Sequence, residues 1–387
     1  MKRIYFCLLV VILLTSITSL NAFASQLPSR IGIAAESVGS GTYSKAMVFA
    51  NIIKESSGMD VRLMPNDTTM GVALAMRSEE IVCAWYTGSG LFYLAHGLDV
   101  FGVPEWGPQP VRSGLLGMNG AGFAVAATSD IYEWADMKGK KIAVSPGTPF
   151  VAGANHAFLA YGGLTPEDVA EVVVTGMGGA YDAALEGSVD GQFFPFEGAV
   201  AYEMEASPRG IRWIQSPPDN KEGWARLQRI MPMYGPFLSR TGAGCSEEKP
   251  VWGLGYLVGT FAFKDDNPDV IYAINKAIYE GYDDYKDVTE DLKYWDHKML
   301  LNYENNIYPW HDGTVQFLKD VGEWTLEMEK WQAWKVSQEN GRIEAWPKVL
   351  EMAKGKNIEV GSEEFLNMWK EYLWQNDLMS IPGSLPQ

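Results

Sequence analysis

The sequence predicts an α/β protein made of two similar lobes. Residues 31–47 and 141–156 each read as a short apolar strand, a loop of Gly, Ser and Thr, and then a helical pattern. A strand that leads into the N-terminus of a helix leaves backbone N–H groups without partners, which makes a ready anion site. Two such units, in a chain longer than one compact core usually holds, indicate two lobes around one small ligand.

Residues 1–24 are expected to form a signal peptide. Lys2 and Arg3 give it a basic start, Ile4 to Leu14 an apolar run, and Ala22-Phe23-Ala24 a small-residue cleavage site. The apolar run is much shorter than the ~20 residues that a membrane-spanning helix needs. We therefore expect cleavage after Ala24 and export to the periplasm, with an uncleaved N-terminal anchor as the alternative.

The first lobe is predicted to follow a βαβαβ order. Strands are expected over residues 30–34, 60–64 and 81–85, with helices over 43–56 and 70–77 between them. This alternation implies a mainly parallel sheet that is covered on both faces.

A strand over residues 114–127 leads into a second alternating unit. Its strands are expected over 141–145, 172–175 and 191–194, and its helices over 150–161 and 179–186. The segment Thr165-Pro166-Glu167-Asp168 combines a cap residue, Pro at the first helical position and two early acids, and so predicts a further helix start.

The C-terminal region is expected to be helical and rich in aromatic residues. Eight of the 14 tryptophans lie from Trp295 onward, often at helical spacing. Packing of aromatic faces onto the core is the main interpretation, and a partner-binding helix surface is the alternative. We predict lobe I over 25–120 together with 252–387, which includes these helices, and lobe II over 121–251.

Composition and motifs exclude several classes of function. The formal net charge of −17 argues against nucleic acid as a partner, because phosphate binding needs basic patches. The sequence has no HExxH, no Gly-x-Ser-x-Gly and no GxxxxGK[ST] motif. We therefore expect no catalytic activity, no metal and no other cofactor. Cys83 and Cys245 are expected to be structural, either as free thiols or as a disulfide.

Four segments carry a resemblance to a known family. They are Gly41-Thr42-Tyr43, the strand and loop over 136–148, the segment over 183–191, and His311-Asp312-Gly313-Thr314 before a helix. In this order and spacing, the chain resembles the TAXI-type solute-binding proteins of tripartite ATP-independent periplasmic (TRAP) transporters, roughly over residues 30–322. The chain departs from the family pattern at Ala34-Ala35-Glu36, so the resemblance names no particular ligand.

The resemblance implies a type II periplasmic binding fold, in which two α/β lobes close on a ligand in the cleft between them. It also implies delivery of that ligand, a small polar or anionic metabolite such as an organic acid or amino acid, to a permease driven by an ion gradient. A ligand-sensing subunit that docks on a membrane receptor kinase is the alternative, and a secreted enzyme that reuses the fold is a third hypothesis.

Candidate ligand-binding residues follow the strands of both lobes, because open α/β sheets bind ligands at the carboxyl ends of their strands. The resemblance adds the loops before the first helix of each lobe. The candidates are Glu36, Thr42, Tyr43, Asn66, Asp67, Trp85, Tyr86 and Thr87 in the first lobe, and Ser145, Thr148, Gly178, Tyr181, Phe196 and Glu197 in the second. Helix capping is the alternative for the Ser, Thr and Asn residues, and packing against the first helix is the alternative for Trp85 and Tyr86.

The charges near these loops bear on the ligand. The matched loops contain no Arg, and Lys45 is the only nearby cation in the sequence. An anionic group would therefore depend on backbone N–H groups, helix dipoles and hydroxyls. Glu36, Asp67 or Glu197 could instead pair with an ammonium group, which would favour an amino acid over a dicarboxylate. Solvated or hydrogen-bonded structural acids are the alternative.

Overall fold

A computed structural model describes residues 27–36, 38, 40–66, 68–145 and 149–383. The predicted signal peptide and two candidate site residues, Asp67 and Thr148, lie outside the described residues, so these assignments stay predictions.

The first part of the chain alternates strand and helix as expected. The elements are β1 (Arg30–Ala35), α1 (Gly41–Ser57), β2 (Asp60–Pro65), α2 (Thr69–Met76), β3 (Ile81–Thr87) and α3 (Gly88–His96). Local chemistry sets the helix starts, since Ser40, Thr68 and Thr87 each cap a helix by accepting a backbone N–H from three residues further on.

The middle part contains the second alternating unit. Its elements are β4 (Val111–Ala126), β5 (Lys141–Val144), α4 (Pro149–Tyr161), β6 (Ala170–Val173), α5 (Gly176–Glu186), β7 (Gly191–Pro195), α6 (Ala199–Ala206), β8 (Ile211–Ile214), α7 (Lys221–Ile230), β9 (Gly235–Ser239) and β10 (Val251–Phe263).

The helix predicted to start at Thr165 is wrong. Only the three residues Pro166–Asp168 form a single 3-10 turn, which Thr165 and Asp168 cap reciprocally. The chain then extends at once into β6, which pairs in parallel with β5. Val172 and Val173, β-branched residues within β6, favour this strand over a longer helix.

The remaining elements are helices. They are α8 (Pro268–Glu280), α9 (Tyr282–Tyr285), α10 (His297–Leu300), α11 (Asp312–Asp320), α12 (Leu326–Gly355) and α13 (Glu363–Gln375). The predicted helical, aromatic-rich C-terminal region is therefore confirmed. Within the described part of the chain, no helix combines the length and the apolar character that crossing a membrane requires.

One sheet connects the two alternating units, with the strand order β2-β1-β3-β10-β4-β7-β5-β6. Strand β1 is parallel to β2 and β3, and β5 is parallel to β6 and β7. Between these two groups lie the long antiparallel strands β10 and β4, called here the central strands. The predicted class, α/β with two α/β lobes, is confirmed. The predicted lobe boundaries fall within the central strands and stay predictions.

The C-terminal tryptophans pack into the core. Trp369 of α13 lies 5.2 Å from Trp346 of α12, centroid to centroid, and its indole N–H donates to the backbone oxygen of His96 at 2.8 Å. In a separate apolar cluster, Trp331 packs against Trp310 at 5.1 Å. The two cysteines in the described part of the chain, Cys83 and Cys245, are free thiols, and Cys83 is buried.

Candidate functional site

Polar side chains from both lobes converge on the central strands. Tyr256 of β10 lies opposite Asn119 of β4 in the sheet register, and Tyr86 of β3 lies opposite Gly259 of β10. Tyr256 and Asn119 are also joined by a side-chain hydrogen bond. Tyr256 and Asn119 lie on the face of the sheet that also carries Trp85, and Tyr86 lies on the other face, because Tyr256 is in phase with Val258, which is opposite Thr87.

Glu36 directly follows β1 and is held by the start of α1. Its carboxyl group is hydrogen-bonded by the hydroxyls of Ser40 and Thr42. Burial raises the pKa of Glu36 above its ordinary value, since the loss of solvent outweighs the two hydroxyl bonds that favour the charged form. The start of α1, which contains the Gly41-Thr42-Tyr43 motif, thus fixes the buried carboxyl group of Glu36 at the C-terminal end of β1.

Glu36 acts on tyrosines of both lobes. Burial, together with the charge of Glu36, raises the pKa of Tyr86 to about 12. The Tyr86 hydroxyl lies 3.3 Å from the hydroxyl of Thr69 at the start of α2. The same two causes raise the pKa of Tyr181 on α5, in the second lobe. Glu36 therefore acts electrostatically on two further sequence-predicted residues, Tyr86 and Tyr181.

Glu197 brings a second carboxyl group from the other side. It follows β7, and the Thr241 hydroxyl donates to its Oε1 at 2.8 Å. Burial and the neighbouring charge of Asp291 raise the pKa of Glu197 to about 7, although Thr241 and Lys45 act in the opposite direction. Lys45 of α1 is itself paired with Asp291, with Nζ 2.6 Å from Oδ2.

The charges of both glutamates act on Tyr256. Burial raises its pKa, and the charges of Glu197 and then Glu36 raise it further. The carboxyl groups of the two lobes thus act electrostatically on one hydroxyl of the central strands. We call this set of electrostatically linked residues the interlobe cluster and define it as Glu36, Thr42, Lys45, Tyr86, Asn119, Tyr181, Glu197, Tyr256 and Asp291.

Two predicted site residues lie in the core instead. Trp85 is buried on the face of β3 opposite Tyr86, where it stacks on Phe49 of α1 at 4.5 Å. Successive side chains of a strand point to opposite faces, so Trp85 and Tyr86 do not share a site. Phe196 is fully buried and packs edge-to-face on Trp213 at 4.8 Å. The contact between Trp85 and Phe49 is the one expected from the alternative interpretation, in which Trp85 packs against the first helix.

Five further predicted residues have local structural contacts. The Thr87 hydroxyl accepts from Gly90 N–H at 3.4 Å, and Asn66 donates to the backbone oxygen of Met64 at 3.0 Å. Ser145 Oγ accepts from Gly176 N–H at 3.0 Å and so connects β5 to the start of α5. Tyr43 is half-buried and its backbone N–H donates to Ser40 Oγ, while Gly178 is exposed. These residues border the loops but are not placed in the interlobe cluster.

The sequence interpretation missed Asn119, Tyr256 and Asp291. Asn119 is the one polar residue in the stretch 114–126 of β4, and Tyr256 carries a hydroxyl in the mainly apolar β10. A polar group in a buried strand was the available signal for both. Asp291 lies in an acidic run of the C-terminal region, where the local sequence gives no sign of its partner, Lys45.

Comparison with solved structures finds resemblances at low identity. The periplasmic sulfonate-binding protein SsuA from Methylobacillus flagellatus KT is 17% identical, covers 93% of this chain and 99% of its own, and gives a TM-score of 0.43. SsuA from Escherichia coli is 14% identical, with 93% and 94% coverage and a TM-score of 0.39. An R. palustris protein solved with adipate is 11% identical, with 84% and 98% coverage and a TM-score of 0.45.

Comparison by sequence gives a family. No curated protein matches the chain. The model of the NMT1-like family matches residues 114–322, a stretch that makes up more than half of the chain and contains β10 and most of β4. The chain therefore belongs to the NMT1-like family.

Proposed function

We propose that this protein is an exported solute-binding protein that captures a small polar or anionic metabolite, an organic acid or an amino acid, in a cleft between its two lobes. The observation that carries the proposal is the interlobe cluster. Glu36 of the first lobe acts on Tyr181 of the second, and both act on Tyr256 in the central strands. Buried polar groups that converge where two lobes join are typical of a small-molecule site that closes on its ligand.

We further propose that the partner is an ion-gradient-driven TRAP permease and that the protein performs no chemistry on its ligand. The four sequence segments that resemble TAXI-type proteins support this partner. The sensor-kinase alternative depended on an aromatic C-terminal surface for docking. Trp331 and Trp369 are fully buried in packing contacts, so neither is exposed for docking on a kinase.

Native mass spectrometry of the purified mature protein tests the capture of a ligand. We expect a mass excess that disappears on denaturation and returns when the stripped protein is incubated with a metabolite extract. Tyr256→Phe and Tyr181→Phe should weaken this capture, whereas the exposed Tyr132→Phe serves as the matched control. A protein that carries no ligand and takes none from the extract would contradict the proposal.

The permease partner needs its own measurement. Membrane vesicles that contain the TRAP permease should accumulate the identified ligand only when the binding protein and an ion gradient are both present. Uptake that depends on ATP, or activation of a receptor kinase by the liganded protein, would exclude the TRAP assignment.

A further inference from the structure

Helix α13 is anchored in the first lobe by buried contacts. The Trp369 indole N–H donates to the backbone oxygen of His96, the last residue of α3, at 2.8 Å. The segment after α13 returns to the same histidine, where Ser380 N–H donates to His96 Nε2 at 3.2 Å. Arg342 of α12 donates to the backbone oxygen of Leu378 in that segment at 3.0 Å. Because Trp369, His96 and Ser380 are all buried, α13 moves as part of the first lobe.

Helix α7 belongs to the second lobe. The Arg226 guanidinium donates to the backbone oxygens of Ala160 and Tyr161, which end α4, at 2.8 Å and 2.9 Å. Trp224 of α7 also packs edge-to-face on the Tyr161 ring at 5.7 Å. Any motion of the second lobe relative to the first therefore carries α7 with it.

Side chains of α13 reach across to the end of α7. Arg229 Nη2 lies 2.7 Å from Glu371 Oε1, and the Arg229 guanidinium carbon lies 4.7 Å from the centre of the Trp374 ring. Lys370 Nζ donates to the backbone oxygen of Ile230 at 3.5 Å. The Arg229 and Glu371 side chains are 50% and 53% exposed, so water competes for this contact and it is much weaker than the buried anchor of α13. We call these five residues the clasp.

The clasp lies toward the edge of the first sheet at which ligands are expected. Helix α3 begins at Gly88, directly after β3 ends, so its start lies at the carboxyl edge of that sheet. The hydroxyl of Tyr93, in the second turn of α3, donates to Sδ of Met231, the residue that follows α7. Because five residues of helix rise only about 8 Å, α7 ends close to the carboxyl edge. Holding α7 against α3 and α13 therefore draws the second lobe toward the ligand side of the first.

We propose that α13 clasps the two lobes in their closed arrangement, and that the contact of Arg229 with Glu371 and Trp374 breaks when the lobes open to exchange ligand. This inference rests on the proposed capture of a ligand between the lobes and adds how closure is controlled. The clasp stabilises the closed form without touching the ligand. It therefore raises the fraction of the protein that can retain a ligand, and with it the apparent affinity.

Distances between spin labels on the two lobes, measured by pulsed electron paramagnetic resonance, test the clasp in the ligand-free mature protein. The labels replace Leu74 on α2 and Ala225 on α7, which are both exposed, through Leu74→Cys and Ala225→Cys. A Cys245→Ser background removes the partly exposed thiol, whereas Cys83 is buried. We expect a short distance from the closed form and a longer one from the open form.

Graded variants should shift the ratio of open to closed protein. Glu371→Gln removes the ion pair and should raise this ratio up to about 5-fold. Arg229→Gln also removes the contact with the Trp374 ring and should raise it up to about 25-fold. Exchanging the charges, with Arg229→Glu and Glu371→Arg in one chain, should restore part of the closed population. Lys140→Gln is the matched control, because the Lys140–Asp130 pair, at 2.8 Å, lies wholly within the second lobe.

Salt gives a second measurement that needs no variant to fold. Raising the salt to about 1 M screens exposed charges, so it should open the wild-type protein but leave Arg229→Gln nearly unchanged. The inference is overturned if Arg229→Gln and wild type give the same distances, or if the charge exchange is no more closed than Glu371→Gln. These distances need no ligand, so they decide the clasp separately from the proposed function, which fails if the protein takes nothing from a metabolite extract.

Native mass spectrometry connects the clasp to ligand retention. After incubation with a limiting amount of metabolite extract, Arg229→Gln should carry a smaller ligand-bound fraction than wild type or Lys140→Gln. An equal bound fraction in a variant whose lobes have opened would show that the clasp does not control retention.

Discussion

The buried ion pair between Lys45 and Asp291 is predicted to contribute strongly to the stability of the protein around the site. The charged atoms are 2.6 Å apart, and Thr289 Oγ1 donates to the other oxygen of Asp291 at 2.6 Å. The pair connects α1 to the segment after α9. Replacing Lys45 by Met keeps the length of the side chain but leaves Asp291 buried beside Glu197 without a counter-charge.

The expected loss follows from that uncompensated charge. Removing one partner of a buried ion pair typically costs about 3–5 kcal/mol, more than the pair itself contributes. Lys54→Met is the matched control on the same helix, since the Lys54–Asp60 pair spans a similar 2.9 Å with side chains 60% and 45% exposed. Water solvates both partners of that surface pair, so its loss should have little effect.

Urea unfolding, followed by circular dichroism, measures both free energies. We expect Lys45→Met to destabilise the protein strongly, Lys54→Met to resemble wild type, and Lys45→Met combined with Asp291→Leu to recover most of the loss. If Lys45→Met and Lys54→Met have equal free energies of unfolding, the buried pair does not hold the site. If the double variant is no better than Lys45→Met, the loss comes from packing rather than charge.

Three further predictions concern the same framework. The pKa of Glu197 is about 7 in the folded protein, which lies above the ordinary value of 4.5. The ligand-free protein should therefore gain up to about 3 kcal/mol of stability as the pH falls from above 7 toward 4.5. Chemical unfolding at several pH values measures this gain, and Glu197→Gln should abolish it. Trp369→Ala should cost about 3–5 kcal/mol in urea unfolding, since it removes a fully buried indole, and Trp369→Phe should cost less because it loses mainly the bond to the His96 carbonyl. Gly117→Ala should destabilise the protein by about 1–3 kcal/mol in urea unfolding, because its methyl group would overlap the Trp295 indole; a variant as stable as wild type would show that Trp295 can move without cost.

Much of the fold follows from local sequence patterns. β1 and α1 begin and end within two residues of their predicted bounds, because an apolar strand, a serine cap and a left-handed glycine at Gly58 are all local signals. The Thr165 segment shows the limit of such signals. Its capping interactions are present, but after a single 3-10 turn the chain continues as β6, which pairs with β5.

The site is less predictable than the fold, because its geometry depends on which face of a strand meets which lobe. The sequence places Trp85 and Tyr86 together at the end of β3, and only the packed sheet separates the core residue from the site residue. Asn119 and Tyr256 become partners through the register of the two central strands. Asp291 reaches Lys45 through a contact between segments far apart in the chain, which no local pattern encodes.

The core residues beside α1 nevertheless fix the position of the buried ion pair. Trp85 stacks on Phe49, and Phe49 stacks on Trp295 at 5.7 Å. Phe49 lies one helical turn after Lys45 on α1, so the stack fixes the face of α1 that carries the lysine. Trp295 and Asp291 flank a single 3-10 turn, so the same stack also fixes the aspartate. The apolar packing of Trp85 therefore holds Lys45 against Asp291, and the charges of both members of this pair act on Glu197.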